Sequence, residues 1–182
     1  MSTTLRYELA LSRPDLLAGT VLAGLKALGD PAQTEVMVTE IDPDLADTAA
    51  FCAEYGVALD ESANCVVIAA RRGADTTYAA CMIAATARAD VNGLVRRHLG
   101  ARKASFAPVA DVTAATGMEY GGITPVGLPA GWPVLVDAAV ATTGSVVIGS
   151  GIRGSKLRLP GLMLAELPGA QVLDGLGVPV SE

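Results

Sequence analysis

Two glycine-bearing segments could present backbone N–H groups to a ligand. The first is Gly117-Met-Glu-Tyr-Gly121-Gly122-Ile-Thr124-Pro125-Val-Gly127-Leu-Pro129. Paired glycines let a backbone approach a ligand or take positive φ, and Pro125 and Pro129 stiffen the end of the loop. N–H groups on a stiff loop suit a carbonyl or a developing oxyanion; a purely structural tight turn has the same composition. The second is Gly149-Ser150-Gly151-Ile-Arg-Gly154, which follows apolar Val146-Val147-Ile148 and matches the dinucleotide fingerprint GxGxxG. Asp174 stands where the ribose-binding acid would sit. The context fails. A pyrophosphate site needs a helix opening directly from the turn, whereas Leu157 and Leu159 alternate with Lys156 and Arg158 as in a strand, and Pro160 interrupts. Ser155-Lys156 is also in the wrong order for a Walker loop. No nicotinamide, flavin or other cofactor is expected, and a glycine turn whose N–H groups line a pocket is the surviving reading.

Other chemistries lack their residues. Cys52, Cys65 and Cys81 are widely spaced, no Cys-x-x-Cys occurs, and His98 is the single histidine. No metal site is expected from that set; three reduced, mostly buried thiols are. His98 precedes Gly100 in a basic helix end, where it complements the helix dipole. No Ser-His-Asp set is readable around Ser150 or Ser155.

The run from Arg96 to Asp137 supplies Leu99-Gly100, a basic strand, an alanine-rich helix reaching Thr116-Gly117, the loop Gly121-Gly122-Ile123-Thr124-Pro125 and the strand Val134-Leu-Val-Asp137. That ordered series resembles the YbaK-type aminoacyl-tRNA deacylases, which include the editing domain associated with some prolyl-tRNA synthetases. The resemblance covers roughly residues 45–175. It implies a mixed, largely antiparallel sheet curved into a partial barrel and surrounded by helices. It also implies hydrolysis, in trans and without a metal, of the ester joining a small mischarged amino acid to the tRNA 3′ end. Such a second sieve is needed where binding alone separates small side chains poorly. By resemblance, Gly121, Gly122, Thr124 and Pro125 line the aminoacyl end, Asp137 matches the family aspartate, and Gly149 and Ser150 close the pocket. The family lysine precedes an apolar strand; here the matching segment is Ala63-Asn64-Cys65-Val66-Val67-Ile68, so Asn64 stands in its place. Asparagine donates and accepts hydrogen bonds but brings no charge. Two alternatives therefore stand beside deacylation. One is a binding module for an aminoacyl-adenosine-like ligand; the other is a domain that docks on a partner.

These segments need positioning elements. Residues 14–29 read as a helix stopped by Gly29, Val36–Ile41 as a strand, and Asp44 as the cap of a helix ending at Gly56. Cys65–Ala70 and Tyr78–Ala87 form a hairpin, Asp90 opens a helix to Leu99, and Pro108 begins another to Thr116. Strands are expected at 104–107, 134–137, 145–148, 156–159 and 171–173, with a short helix at 161–167. The expected organisation is an N-terminal helical extension with the first strand (1–40), packed on an editing domain (41–182).

Net charge is −6, so a groove wrapping a duplex is excluded and a local contact with one RNA end is allowed. Basic spots persist at Arg71-Arg72, at Arg96-Arg97, at Arg102-Lys103 and around Arg153. The sequence lacks about 18 uninterrupted apolar residues, so no membrane span is expected. An early acid and the lack of an apolar core near Met1 argue against a signal peptide, and a cytoplasmic protein is expected. The expected partners are the tRNA 3′ end and a synthetase; the apolar N-terminal helix also offers a surface for a second copy.

Overall fold

The stretch read as one helix over 14–29 is broken into pieces by its proline and glycines. In the computed structural model, which describes residues 4–180, β1 (Glu8–Leu9) leads into 3-10 turns at Ala10–Ser12 and Pro14–Leu16. Next come α1 (Gly19–Ala27) and, past Gly29 at φ +73°, α2 (Asp30–Glu35), which has Pro31 in its first turn. β2 (Met37–Glu40) comes after it. The cap expected at Asp44 lies at Asp47, whose carboxylate accepts from the N–H groups of Ala49 and Ala50 to open α3 (Thr48–Tyr55). Asp42 caps only the short turn Pro43–Leu45. Gly56 ends α3 in the left-handed conformation, as its position suggests.

The expected hairpin is β3 (Ala63–Arg72) with β4 (Asp75–Ala84), and β5 (Ala87–Ala89) continues from it. Asp90 opens the next helix by accepting from Gly93 and Leu94, but the first turn, Val91–Val95, is π-helical before α4 (Arg96–His98). β6 (Lys103–Phe106), α5 (Val109–Thr116) and β7 (Val134–Asp137) come in the expected order. Between β7 and β8 (Val146–Gly149) the chain inserts α6 (Ala138–Ala141), capped by Asp137. β9 (Ser155–Leu159), α7 (Gly161–Ala165), β10 (Ala170–Leu173) and β11 (Gly177–Pro179) complete the fold.

One sheet is β1-β2-β9-β8, wholly antiparallel; the other is β10-β7-β4-β3-β6, where β7 runs parallel to both β10 and β4. A bridge from Ser62 to Val147 joins them, giving the expected curved, partly closed barrel with helices around it. β11 pairs with β5 in a small third sheet. The main core lies between the two larger sheets and takes Leu16, Leu17, Val21 and Leu25 from the N-terminal segment alongside Val136, Ile148, Leu157 and Leu164. Burying large aliphatic side chains of this kind stabilises by roughly 1.5–3 kcal/mol each. α1 also supports the site loops. A Cβ on Gly24 would lie 2.7 Å from the Gly127 nitrogen, and one on Gly127 would lie 2.1 Å from the Thr20 carbonyl oxygen. Thr20 Oγ1 donates to the Thr116 carbonyl at 2.9 Å. Among the described residues no helix is long and apolar enough to cross a membrane.

Candidate functional site

A cavity of about 650 Å³ opens where the start of β3, the start of α3, the end of β8 and the loop after α5 meet. Asn64, Gly121, Ile123 and Gly149 line it, joined by Thr48, Tyr120, Arg153 and Lys156. Asn64 sits at the mouth of β3, where Thr48 Oγ1 donates to its Oδ1 at 2.6 Å. That contact fixes the amide, leaving both Nδ2 hydrogens for a ligand.

The two glycine segments build one wall together. Gly151 N–H donates to the Gly122 carbonyl at 2.7 Å, Glu119 N–H donates to the Gly151 carbonyl at 2.8 Å, and Arg153 N–H donates to Glu119 Oε2 at 2.7 Å. The glycines are there because the backbones nearly touch. A Cβ on Gly122 would lie 2.5 Å from the Ile152 carbonyl oxygen, and one on Gly149 would lie 2.5 Å from the carbonyl oxygens of Gly122 and Ile123. With those bonds made, the N–H groups of the lining residues Gly121 and Ile123 donate to no other described group. The GxGxxG turn links antiparallel β8 and β9, so no helix N-terminus comes after it.

Lys156 was absent from the sequence-derived site. The strand alternation that argued against a dinucleotide turn sets its side chain on the face opposite Leu157 and Leu159, where Phe51 of α3 covers it, and the residue is 6% exposed. Its Nζ donates to the Ala46 carbonyl at 2.8 Å and lies 5.5 Å from the Phe51 ring centroid. Burial holds this ammonium below the usual lysine range and Arg153 adds to that; Cys52 and Asp47 oppose it. Arg153 is fastened at the rim, donating to the Tyr120 carbonyl at 3.1 Å and the Pro43 carbonyl at 2.9 Å. The cavity that lacks a lysine at position 64 thus receives positive charge from Lys156 of the neighbouring sheet and Arg153 of its β8–β9 turn, beside the Asp47 carboxylate that also lines it.

The remaining expected residues lie elsewhere. Thr124 is fully buried behind the loop, with Oγ1 unpartnered among the described residues. Pro125 faces a second, apolar cavity of about 460 Å³ with Gly24, Leu28 and Trp132. Ser150 is buried against Ser155, Oγ to Oγ 2.6 Å, and Ser155 Oγ donates to the Leu16 carbonyl at 2.6 Å. Asp137 does not line the cavity: one carboxylate oxygen accepts from Ala139 N–H at 2.8 Å and the other from Gly177 N–H. His98 hydrogen-bonds Gln171 at 2.6 Å, also away from the cavity. All three cysteines are free thiols; burial pushes Cys81 up to about 12. Among the described residues no group of three His, Cys, Asp or Glu side chains is placed to hold a metal ion.

The solved structures that match share this fold at low sequence identity. One, described as a candidate trans-editing enzyme for prolyl tRNA synthetase, has a TM-score of 0.72 at 22% identity and covers 86% of this chain and 94% of its own. The hypothetical protein APE2540 has a TM-score of 0.74 at 22% identity, over 87% of this chain and 99% of its own. A structure from work on computational epitope grafting onto scaffold proteins matches at 0.72 and 23% identity, over 86% and 95%. A search of curated proteins finds no match. The model of the aminoacyl-tRNA editing domain matches residues 42–167, well over half the chain, and spans every residue that lines the candidate cavity. On that match, the chain belongs to the aminoacyl-tRNA editing domain family.

Proposed function

We propose that this chain hydrolyses, in trans, the ester between a small mischarged amino acid and the 3′-terminal ribose of a tRNA. The observation that supports this is that residues bearing three kinds of donor line one cavity: Gly121 and Ile123, whose N–H groups have no described acceptor, Asn64 with its amide, and Lys156 with its buried ammonium. The ester carbonyl oxygen accepts from the loop N–H groups. Water attacks the carbonyl carbon, and the negative charge gathering on oxygen meets preorganised donors in a partly desolvated site, where each is worth more than in water. The ester C–O bond then breaks, the ribose oxygen takes the proton given up by the attacking water and leaves as a hydroxyl, and the amino acid is released as its carboxylate with its acid proton going to solvent. Lys156 supplies the positive charge that Asn64 cannot, and Asn64 orients the substrate through Nδ2. Gly122, Thr124, Pro125, Gly149, Ser150 and Asp137 serve this site by shaping the wall and the strand ends around it.

Family membership supports a tRNA 3′ end as the substrate, and the likeness to a candidate trans-editing enzyme for prolyl tRNA synthetase supports a synthetase as the associated partner; we place the action in the cytoplasm. Incubating the purified protein with a panel of mischarged tRNAs tests the reading: selective release of one small amino acid is expected. The uncharged Asn64 favours one alternative, a module that binds the aminoacyl end without turnover. Thermal stabilisation by a non-hydrolysable aminoacyl-adenosine, with no release from any tRNA, would establish that instead.

A further inference from the structure

At the other end of β3 from Asn64, a groove of about 520 Å³ is lined by Arg71, Arg96, Arg102 and Lys103, with Asn92 and Ser105 between them. Every ionisable side chain lining it is cationic, in a chain whose net charge is −6. None of the four cations makes an ion pair with a described carboxylate. Arg96 Nε is spent on the Asn92 carbonyl at 2.9 Å, which holds that guanidinium over the groove. Four unneutralised cations on one concave surface form a polyanion footprint.

Between this groove and the cavity stands Phe106. The chain has two phenylalanines; Phe51 is 1% exposed in the core, while Phe106 is 64% exposed on β6, the edge strand of its sheet. Phe106 lies directly opposite Ile68 and so shares a sheet face with Asn64, whereas Arg71, seven residues from Asn64, and its partner Lys103 project from the other face, so the way from the ring to the groove passes over the exposed β6 edge. At about 3.3 Å per residue, Phe106 is roughly 13 Å along β3 from Asn64, and Arg71 roughly 23 Å. Tyr120, 65% exposed, stands at the cavity itself. Exposed rings followed by a cationic groove are what a single strand needs: stacking surfaces for bases and positive charge for phosphates.

We propose that the β6 edge carries the single-stranded RNA end leading into the cavity, with Phe106 stacking on a base and Arg71, Arg96, Arg102 and Lys103 binding phosphates. This rests on the reading of the cavity as the site of a tRNA 3′ end. It assigns the groove to sequence-independent affinity and leaves selection of the amino acid to the cavity. The net negative charge elsewhere then keeps RNA from settling on other faces.

The test is fluorescence anisotropy with a labelled RNA hairpin ending in a single-stranded 3′ overhang, measured over a range of KCl. The triple variant Arg71→Gln, Arg102→Gln, Lys103→Gln should bind at least about tenfold more weakly. Its log K against log salt should also be shallower by about 2, since each single-strand phosphate contact contributes roughly 0.7. Phe106→Ser should weaken binding by roughly tenfold without changing the salt slope, and the loss should vanish with a blunt hairpin. Both variants should hydrolyse the aminoacyl ester of free adenosine at the wild-type rate, because that substrate never reaches the groove. Wild-type affinity and slope in the triple variant would overturn the groove while leaving the cavity reading intact. A wild type that hydrolyses neither the adenosine ester nor any mischarged tRNA, and gains no thermal stability from a non-hydrolysable aminoacyl-adenosine, overturns the cavity reading, and the groove with it.

Discussion

Lys156 and Asn64 face one cavity from strands in different sheets, β9 and β3. The cation comes from the neighbouring sheet, one strand beyond β8, so its position depends on how the two sheets join. The Ser62–Val147 bridge is the point where they do.

Restoring a lysine on β3 should therefore fail to help. Asn64→Lys would set a third positive charge beside Lys156 and Arg153 and remove the Thr48 hydrogen bond. Hydrolysis of mischarged tRNA should fall, and Asn64→Ala should fall as well, by roughly tenfold for a lost oriented hydrogen bond. A rise in rate with Asn64→Lys would show that charge at position 64 is the missing element.

Lys156→Met should lower kcat by roughly 10²–10³-fold, the range seen on removing one oxyanion-hole donor. The same variant reports on pH. Burial holds the folded pKa below the ordinary 10.5. Between the depressed value and 10.5 the unfolded chain binds more protons than the folded one, so stability rises with pH there. Below the depressed value the burial penalty is present in full. The unfolding free energy of the wild type relative to Lys156→Met should thus climb as pH approaches 10.5; a flat difference in urea titrations would contradict this account.

A methyl group at Gly149 should cost about 1–3 kcal/mol, because it meets two carbonyl oxygens at 2.5 Å. Gly144→Ala is the matched control: a Cβ there has no atom within 4 Å and should change stability little. Chemical denaturation of both variants measures the contrast.

Asp137→Ala should destabilise by roughly 1–3 kcal/mol, since its carboxylate caps α6 and receives the Gly177 N–H. The urea midpoint should drop. An unchanged midpoint with abolished hydrolysis would instead put this carboxylate in the chemistry.

Local signals carried much of this fold. The β3–β4 hairpin, the helix opened by Asp90 and the strand after Gly154 were legible because period-two and capping patterns act over a few residues. Two other features escaped for physical reasons. Asp44 and Asp47 compete for the same helix start, and only Asp47 places a carboxylate over two free N–H groups. Asp137 ends a strand and caps α6 at once, so its sequence signature matched a site aspartate equally well. Among the residues that line the cavity, Asn64 and Gly121 could be named from the ordered motifs. Lys156 could not, because its cavity position comes from β9 pairing with β2 and β8, long-range contacts that no local window contains.

The tight backing of the site by the N-terminal segment constrains how this chain can drift. Gly24 has no room because of Gly127, Gly127 because of Thr20, and Gly151 because a Cβ there would lie 2.4 Å from that of Ala18. The side-chain sizes at these positions are not independent. Among sequence relatives, growth at position 18 or 24 should be accompanied by a displaced α1 or an altered loop, and substitutions at 18, 20, 24, 127 and 151 should be inherited as a correlated set. Residues 18–24 precede the stretch matched by the family model, which begins at 42, so a segment outside that match sets the limits within which the site loops can evolve.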